Sequence, residues 1–92
     1  FYYKTRSGKE IDFVVFYEGN ARLFQVCWDI TEKNTFEREK QAVVEAAKEF
    51  GIREGTIITG NRKDQIIEGD ITISIIPAAE FLLSDSLENP GY

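Results

Sequence analysis

The sequence predicts an α/β fold, a mixed sheet with helices laid against it. Three observations carry this reading. Apolar runs of strand character fill residues 1–28, a stripe of helical period follows over 36–50, and strand-like segments return over 56–76. A strand meander, then a helix, then a strand implies an antiparallel hairpin and a right-handed crossover into a parallel neighbour.

The elements follow in order. Phe1-Tyr2-Tyr3-Lys4-Thr5 has aromatic and β-branched character, and Ser7-Gly8-Lys9 turns it into the next strand. That strand is Glu10-Ile11-Asp12 running into Phe13-Val14-Val15-Phe16, with two carboxylates at the mouth of an apolar run. Leu23-Phe24-Gln25-Val26-Cys27-Trp28 returns beside it, and Gly19-Asn20 is a favoured two-residue loop. With that loop, Glu18 pairs with Ala21, Asp12 faces Cys27, Val14 faces Gln25 and Glu10 faces Asp29. One face then reads Ile11, Phe13, Val15, Trp28, Val26 and Phe24, the expected core. The other gathers Glu10, Asp12, Asp29, Gln25 and Cys27 at one end, with Val14, Phe16 and Leu23 beyond.

After Trp28 the period changes. Phe36, Lys40, Val43, Val44, Ala47 and Phe50 fall on one helical stripe, with Asn34 or Thr35 as cap and Gly51-Ile52 as a Schellman stop. Thr56 to Thr59 reads as a buried strand, and Gly60-Asn61-Arg62-Lys63-Asp64 as a polar loop. Residues 65–68 and 71–76 form two further strands around Gly69-Asp70, and Pro77 opens a helix over 77–83. The expected division is a domain over 1–83 and a frayed tail over 84–92. Burial is expected to be deepest at Phe13, Val15, Phe24, Val26, Val43, Ala47, Ile58 and Ile73.

Composition narrows the function. At 92 residues the chain holds one domain with one modest core. No apolar run reaches the ~20 residues that span a bilayer, and no signal-peptide pattern opens the chain, so the expectation is a cytoplasmic protein that does not engage membranes. The single Cys27, in mid-strand, fits a reducing compartment and an inert buried thiol. A net charge of −5 opposes general attraction to nucleic acid, and the absence of His removes the commonest general base and zinc ligand. The basic residues Arg62-Lys63 and Lys4, Arg6, Lys9 read as a turn and a solvated strand end. The opening aromatics read as an exposed edge through which a second chain could pair into a homo-oligomer. The chain opens inside a strand without lead-in, as a piece of a longer protein would.

Short motifs occur in a telling order: Tyr2-Tyr3-Lys4-Thr5, Gly8-Lys9-Glu10-Ile11-Asp12-Phe13-Val14-Val15, Phe24-Gln25-Val26-Cys27, Phe36-Glu37-Arg38-Glu39 and Ile75-Ile76-Pro77. With the three-strand meander and crossover helix, residues 2–83 resemble the PD-(D/E)XK nuclease-like domain at the C-terminus of prokaryotic AAA+-type ATPases. The resemblance implies a restriction-endonuclease-like mixed sheet with flanking helices, and an ATPase as parent and partner. It also implies where chemistry would sit. In active members an acid at the position of Asp12 and an acid two residues before a lysine hold a divalent cation, and the lysine assists the attacking water. Asp12 matches, but Gln25 stands where the second acid belongs and Cys27 where the lysine belongs. An amide oxygen is a weaker ligand for a hard cation than a carboxylate, and a thiol supplies no fixed positive charge.

Two functions follow as expectations. One is a non-catalytic, degenerate nuclease-like module that serves an ATPase as a regulatory or partner-binding tail, without a cofactor. The other is a DNA endonuclease whose Mg²⁺ is held by a shifted set of Glu10, Asp12 and Asp29, with Lys40 or Arg38 replacing the missing lysine.

Overall fold

The computed structural model describes residues 1–88. It contains β1 (Tyr3–Lys4), β2 (Glu10–Ile11), β3 (Phe13–Tyr17), β4 (Asn20–Val26), α1 (Lys33–Phe50), β5 (Glu54–Thr59), β6 (Asp64–Glu68), β7 (Ile71–Pro77) and α2 (Ala78–Glu88). The main sheet runs β3-β4-β5-β7-β6. β3 and β4 are antiparallel, β4–β5 and β5–β7 parallel, and β6 antiparallel at the edge. β1 and β2 form a separate antiparallel pair. This is the mixed α/β architecture that the element order predicts. The helix α2 runs past the boundary expected at 83, and the end of the expected tail, 89–92, lies outside the described residues. Pro77 closes β7 rather than opening that helix.

The expected single strand over 10–16 is broken at Asp12 by a bulge. Tyr3 pairs with Ile11, and Phe1 exchanges both backbone hydrogen bonds with Val14, at 2.7 Å each. Tyr2 therefore stands opposite two residues, Asp12 and Phe13, the count that defines a bulge. The extra residue lets Ile11 and Val14 both reach the core, at 0% and 1% exposure.

The hairpin register differs from the expected one by two residues. Tyr17 pairs with Asn20, so the turn is Glu18-Gly19, with φ of 52° and 81°. Positive φ at both central residues is the mark of the type I′ hairpin loop. Val14 then faces Leu23, and Phe13 faces Phe24. A two-residue shift keeps the side chains from Phe13 to Val26 on their sides of the sheet, but ahead of the bulge the faces are exchanged, and Ile11 joins Val14 and Leu23 rather than Phe13 and Val15. The buried face is also not the expected one. The core holds Val14, Leu23, Gln25 and Cys27, while Phe13, Val15, Val26 and Trp28 are exposed. Of the eight residues expected deepest, Val43, Ala47, Ile58 and Ile73 are buried; Phe24 is half-buried and Phe13, Val15 and Val26 are exposed. The physical reason is tertiary. α1 packs on the side carrying Ile57, Ile71, Ile73 and Ile75, and its approach is set by Gly55, where a Cβ would lie 2.3 Å from Val43 Cγ1. Both sides of the hairpin are apolar enough to be buried, so the strands alone cannot choose.

α1 begins one turn before the predicted stripe. Its cap is Glu32, whose carboxylate accepts from the Asn34 and Thr35 amides at 3.3 and 2.7 Å. A carboxylate there also meets the positive end of the helix dipole. The stop is the expected Schellman motif: Ile52 N donates to Ala47 O and Gly51 N to Lys48 O. The turn over 5–9 is clasped against α1 by two carboxylates one helical turn apart. Glu49 accepts from Tyr3 Oη and Arg6 N; Glu45 accepts from Ser7 and pairs with Lys9 Nζ at 3.1 Å. Among the described residues no helix is long and apolar enough to cross a membrane.

Candidate functional site

The bulge is built around Gln25. Its side chain enters the core from β4 and is 2% exposed. A buried carboxamide needs partners for one oxygen and two N–H groups. Asp12 N donates to Oε1 at 2.8 Å, while Nε2 donates to Glu10 O at 2.9 Å and, by a short bond, to a Glu39 carboxylate oxygen. Asp12 completes the arrangement in reverse, its Oδ2 accepting from Val26 N at 2.9 Å. The amide thus replaces the ladder bonds that the bulge interrupts. Among the described residues no buried side-chain nitrogen or oxygen lacks a partner.

Outside this lock lies a cleft of about 390 Å³ lined by Gly8, Lys9, Glu10, Asp12, Gln25, Arg38, Glu39 and Ala42. Of the five polar residues expected to gather, Glu10, Asp12 and Gln25 line this cleft. Cys27 is not part of the cleft lining; it is buried, with Sγ 3.8 Å from Asp29 O. Burial first, and then the nearby Glu39 and Asp29 carboxylates, push its thiol above the usual value. A protonated, enclosed thiol is neither a nucleophile nor a stand-in for a lysine.

Asp29 is absent from the cleft lining. Its Oδ1 accepts from Thr31 Oγ1 at 2.6 Å and Thr31 N at 3.0 Å. Those bonds, the hydroxyl first and the amide second, hold its carboxyl below the usual range. Among the described residues no three His, Cys, Asp or Glu side chains converge on a common cation position. Gln25 Oε1 and Asp12 Oδ2 each accept a backbone amide, and of the expected set Glu10, Asp12 and Asp29 only the first two line the cleft.

The two helix-borne cations part company. Arg38 lines the cleft, whereas Lys40 turns to the other side, 3.1 Å from Glu37 and 3.2 Å from Glu68 on β6. Burial works to lower the Lys40 pKa, but the two carboxylates outweigh it and the net shift is upward. The basic loop after β5 is spent on ion pairs, Arg62 with Asp64 at 3.5 Å and Lys63 with Glu80 at 2.7 Å.

Sequence reasoning missed Glu39. A signal was present: Glu39, Ala42, Val43 and Ala46 lie on one helical face, so a carboxylate continues the stripe that meets the sheet. The alanines allow close approach and bring Glu39 onto Gln25. No family model, curated protein or solved structure matches this chain.

Proposed function

We propose that the chain is a non-catalytic, partner-binding module of the restriction-endonuclease-like class, one that works as the tail of a AAA+-type ATPase in a reducing, cytoplasmic setting. The observation that carries the reading is the full engagement of the Gln25 carboxamide. At the position where the resemblance expects a metal-binding acid, the side chain is structural. Cys27, at the expected lysine, is enclosed and uncharged, so neither half of the motif offers the charge that phosphoryl chemistry needs. The net charge of −5 further opposes approach of a polyanion.

The test uses purified protein, supercoiled DNA, and Mg²⁺ or Mn²⁺. No cleavage is expected above a protein-free control. Metal-dependent cleavage that disappears in Asp12→Ala would overturn the reading and favour the Mg²⁺-dependent endonuclease instead.

A further inference from the structure

β1 and β2 form a hairpin of their own, in a sheet separate from the five-stranded one. Its tip, residues 5–9, is closed on itself. Thr5 N donates to Lys9 O at 2.7 Å, Gly8 N to Thr5 O at 2.9 Å and Lys9 N to Thr5 Oγ1 at 3.0 Å. Of these five residues Thr5 alone is buried, and none has a large apolar side chain. Among the described residues, every hydrogen bond and ion pair from the tip to α1 ends on one of two carboxylates. Glu45 takes Ser7 Oγ at 2.5 Å and Lys9 Nζ at 3.1 Å, and Glu49 takes Arg6 N at 2.9 Å. The same tip borders the Gln25 cleft, which Gly8 and Lys9 line together with Arg38, Glu39 and Ala42 of α1. Tip and helix therefore bound one opening, and the two carboxylates tie one to the other.

We propose that the tip is a flap beside the Gln25 cleft, latched to α1 by Glu45 and Glu49, and that it swings away as a unit when the latch lets go. The base of the hairpin is held differently from its tip. Ile11 is fully buried, and the Tyr3 ring packs on Phe50 with centroids 4.7 Å apart. Moving the base would expose apolar surface, whereas freeing the tip exposes almost none. The latch itself is solvent-accessible, with the Lys9 and Glu45 side chains 37% and 27% exposed. Water can replace each of its bonds in turn, and exposed ion pairs are weak and screened by salt. Segments with few buried apolar contacts and exposed hydrogen bonds are those that open locally, ahead of the fold around them. The bonds within residues 5–9 do not involve α1, so they persist while the flap moves. Entry to the cleft then depends on whether Glu45 and Glu49 are engaged, and a cation that competes for them favours the open form.

The test uses the full chain and two readouts by nuclear magnetic resonance. Relaxation of the Gln25 side-chain amide protons by a neutral gadolinium chelate reports access to the cleft. Hydrogen exchange at the Thr5 and Gly8 amides reports whether the tip stays closed on itself. In Glu45→Ala/Glu49→Ala, where alanine suits the helix, Gln25 relaxation should rise at least about twofold while Thr5 and Gly8 keep their protection. Ser7→Ala/Lys9→Met releases the latch from the tip side and leaves α1 untouched, so it repeats the test should the helix variant be destabilised. Wild type in ~1 M NaCl, where the Debye length is about 3 Å, should move the same way by a smaller amount. Unchanged Gln25 relaxation in both variants would overturn the proposal. So would loss of Thr5 and Gly8 protection in both, since the tip would then fray rather than swing. The inference does not rest on the proposed function: cleavage of DNA would sink the non-catalytic reading and leave the flap standing.

Discussion

Gln25 bonds three groups, Asp12 N, Glu10 O and Glu39. Replacing it with Glu places a carboxylate where two donors are needed, facing a carbonyl oxygen and a second carboxylate. Leaving buried groups unmatched costs about 1–3 kcal/mol each, more where charge is involved. Gln25→Glu should therefore lose about 2–4 kcal/mol at pH 7, read from urea midpoints. Part of the loss should return at pH 5, where a protonated Glu can donate again. An equally stable variant at pH 7 would show that the amide donors are dispensable. The identity of Gln25 as a special position was legible, because a polar residue inside an apolar strand stands out. Its role was not. That depends on a backbone irregularity with no residue signature, since Asp12 reads equally well as a strand end.

At the level of elements, the most distinctive contact is the clasp between α1 and the turn over 5–9. Bonds from the Ser7 and Thr5 side chains and from Lys9 lower the Glu45 pKa from 4.5 to about 2. A carboxylate depressed on folding stabilises the native state above its unfolded pKa, and the contribution fades as pH falls from about 4.5 towards 2. Thermal melts from pH 7 to pH 2.5 should show wild type converging on Glu45→Gln at the acid end, with the gap widest above pH 5. Parallel curves would mean that the clasp contributes nothing to stability. The helix that carries Glu45 was readable from its apolar period, and its Gly51 stop from composition. The cap and the clasp were not, because long side chains such as Glu32, Glu45 and Glu49 can serve either solvent or a distant backbone amide, and only the fold decides.

For the whole molecule, one covered face and one partly open face set a gradient of mutational sensitivity. Leu23 and Ile57 are enclosed between sheet and α1, so truncation to Ala should cost about 2–5 kcal/mol. Phe13 is 53% exposed on the open side, and Phe13→Ala should cost less than about 1 kcal/mol. Chemical denaturation of the three variants checks the ordering; a Phe13 cost equal to that of Leu23 would mean that the open face is a second core. The layer architecture was legible from the order of strand and helix periods. The choice of core face was not, because Phe13, Val15 and Val26 are as apolar as Val14, Leu23 and Cys27. What separates them is the placement of α1 against β5 and β7, a matter of residues remote from the hairpin in the chain.

The bulge at Asp12 is, seen along the strand, a change of phase. Odd-numbered side chains turn towards α1 before it, at Ile11, and even-numbered ones after it, at Val14. A chain with one residue fewer here would keep the same inward side chains and run as an unbroken ribbon. Its residue at the place of Gln25 would then find no free amide or carbonyl to bond. Extra residue and carboxamide thus form a single unit of change: losing either alone strands a buried polar group without its complement.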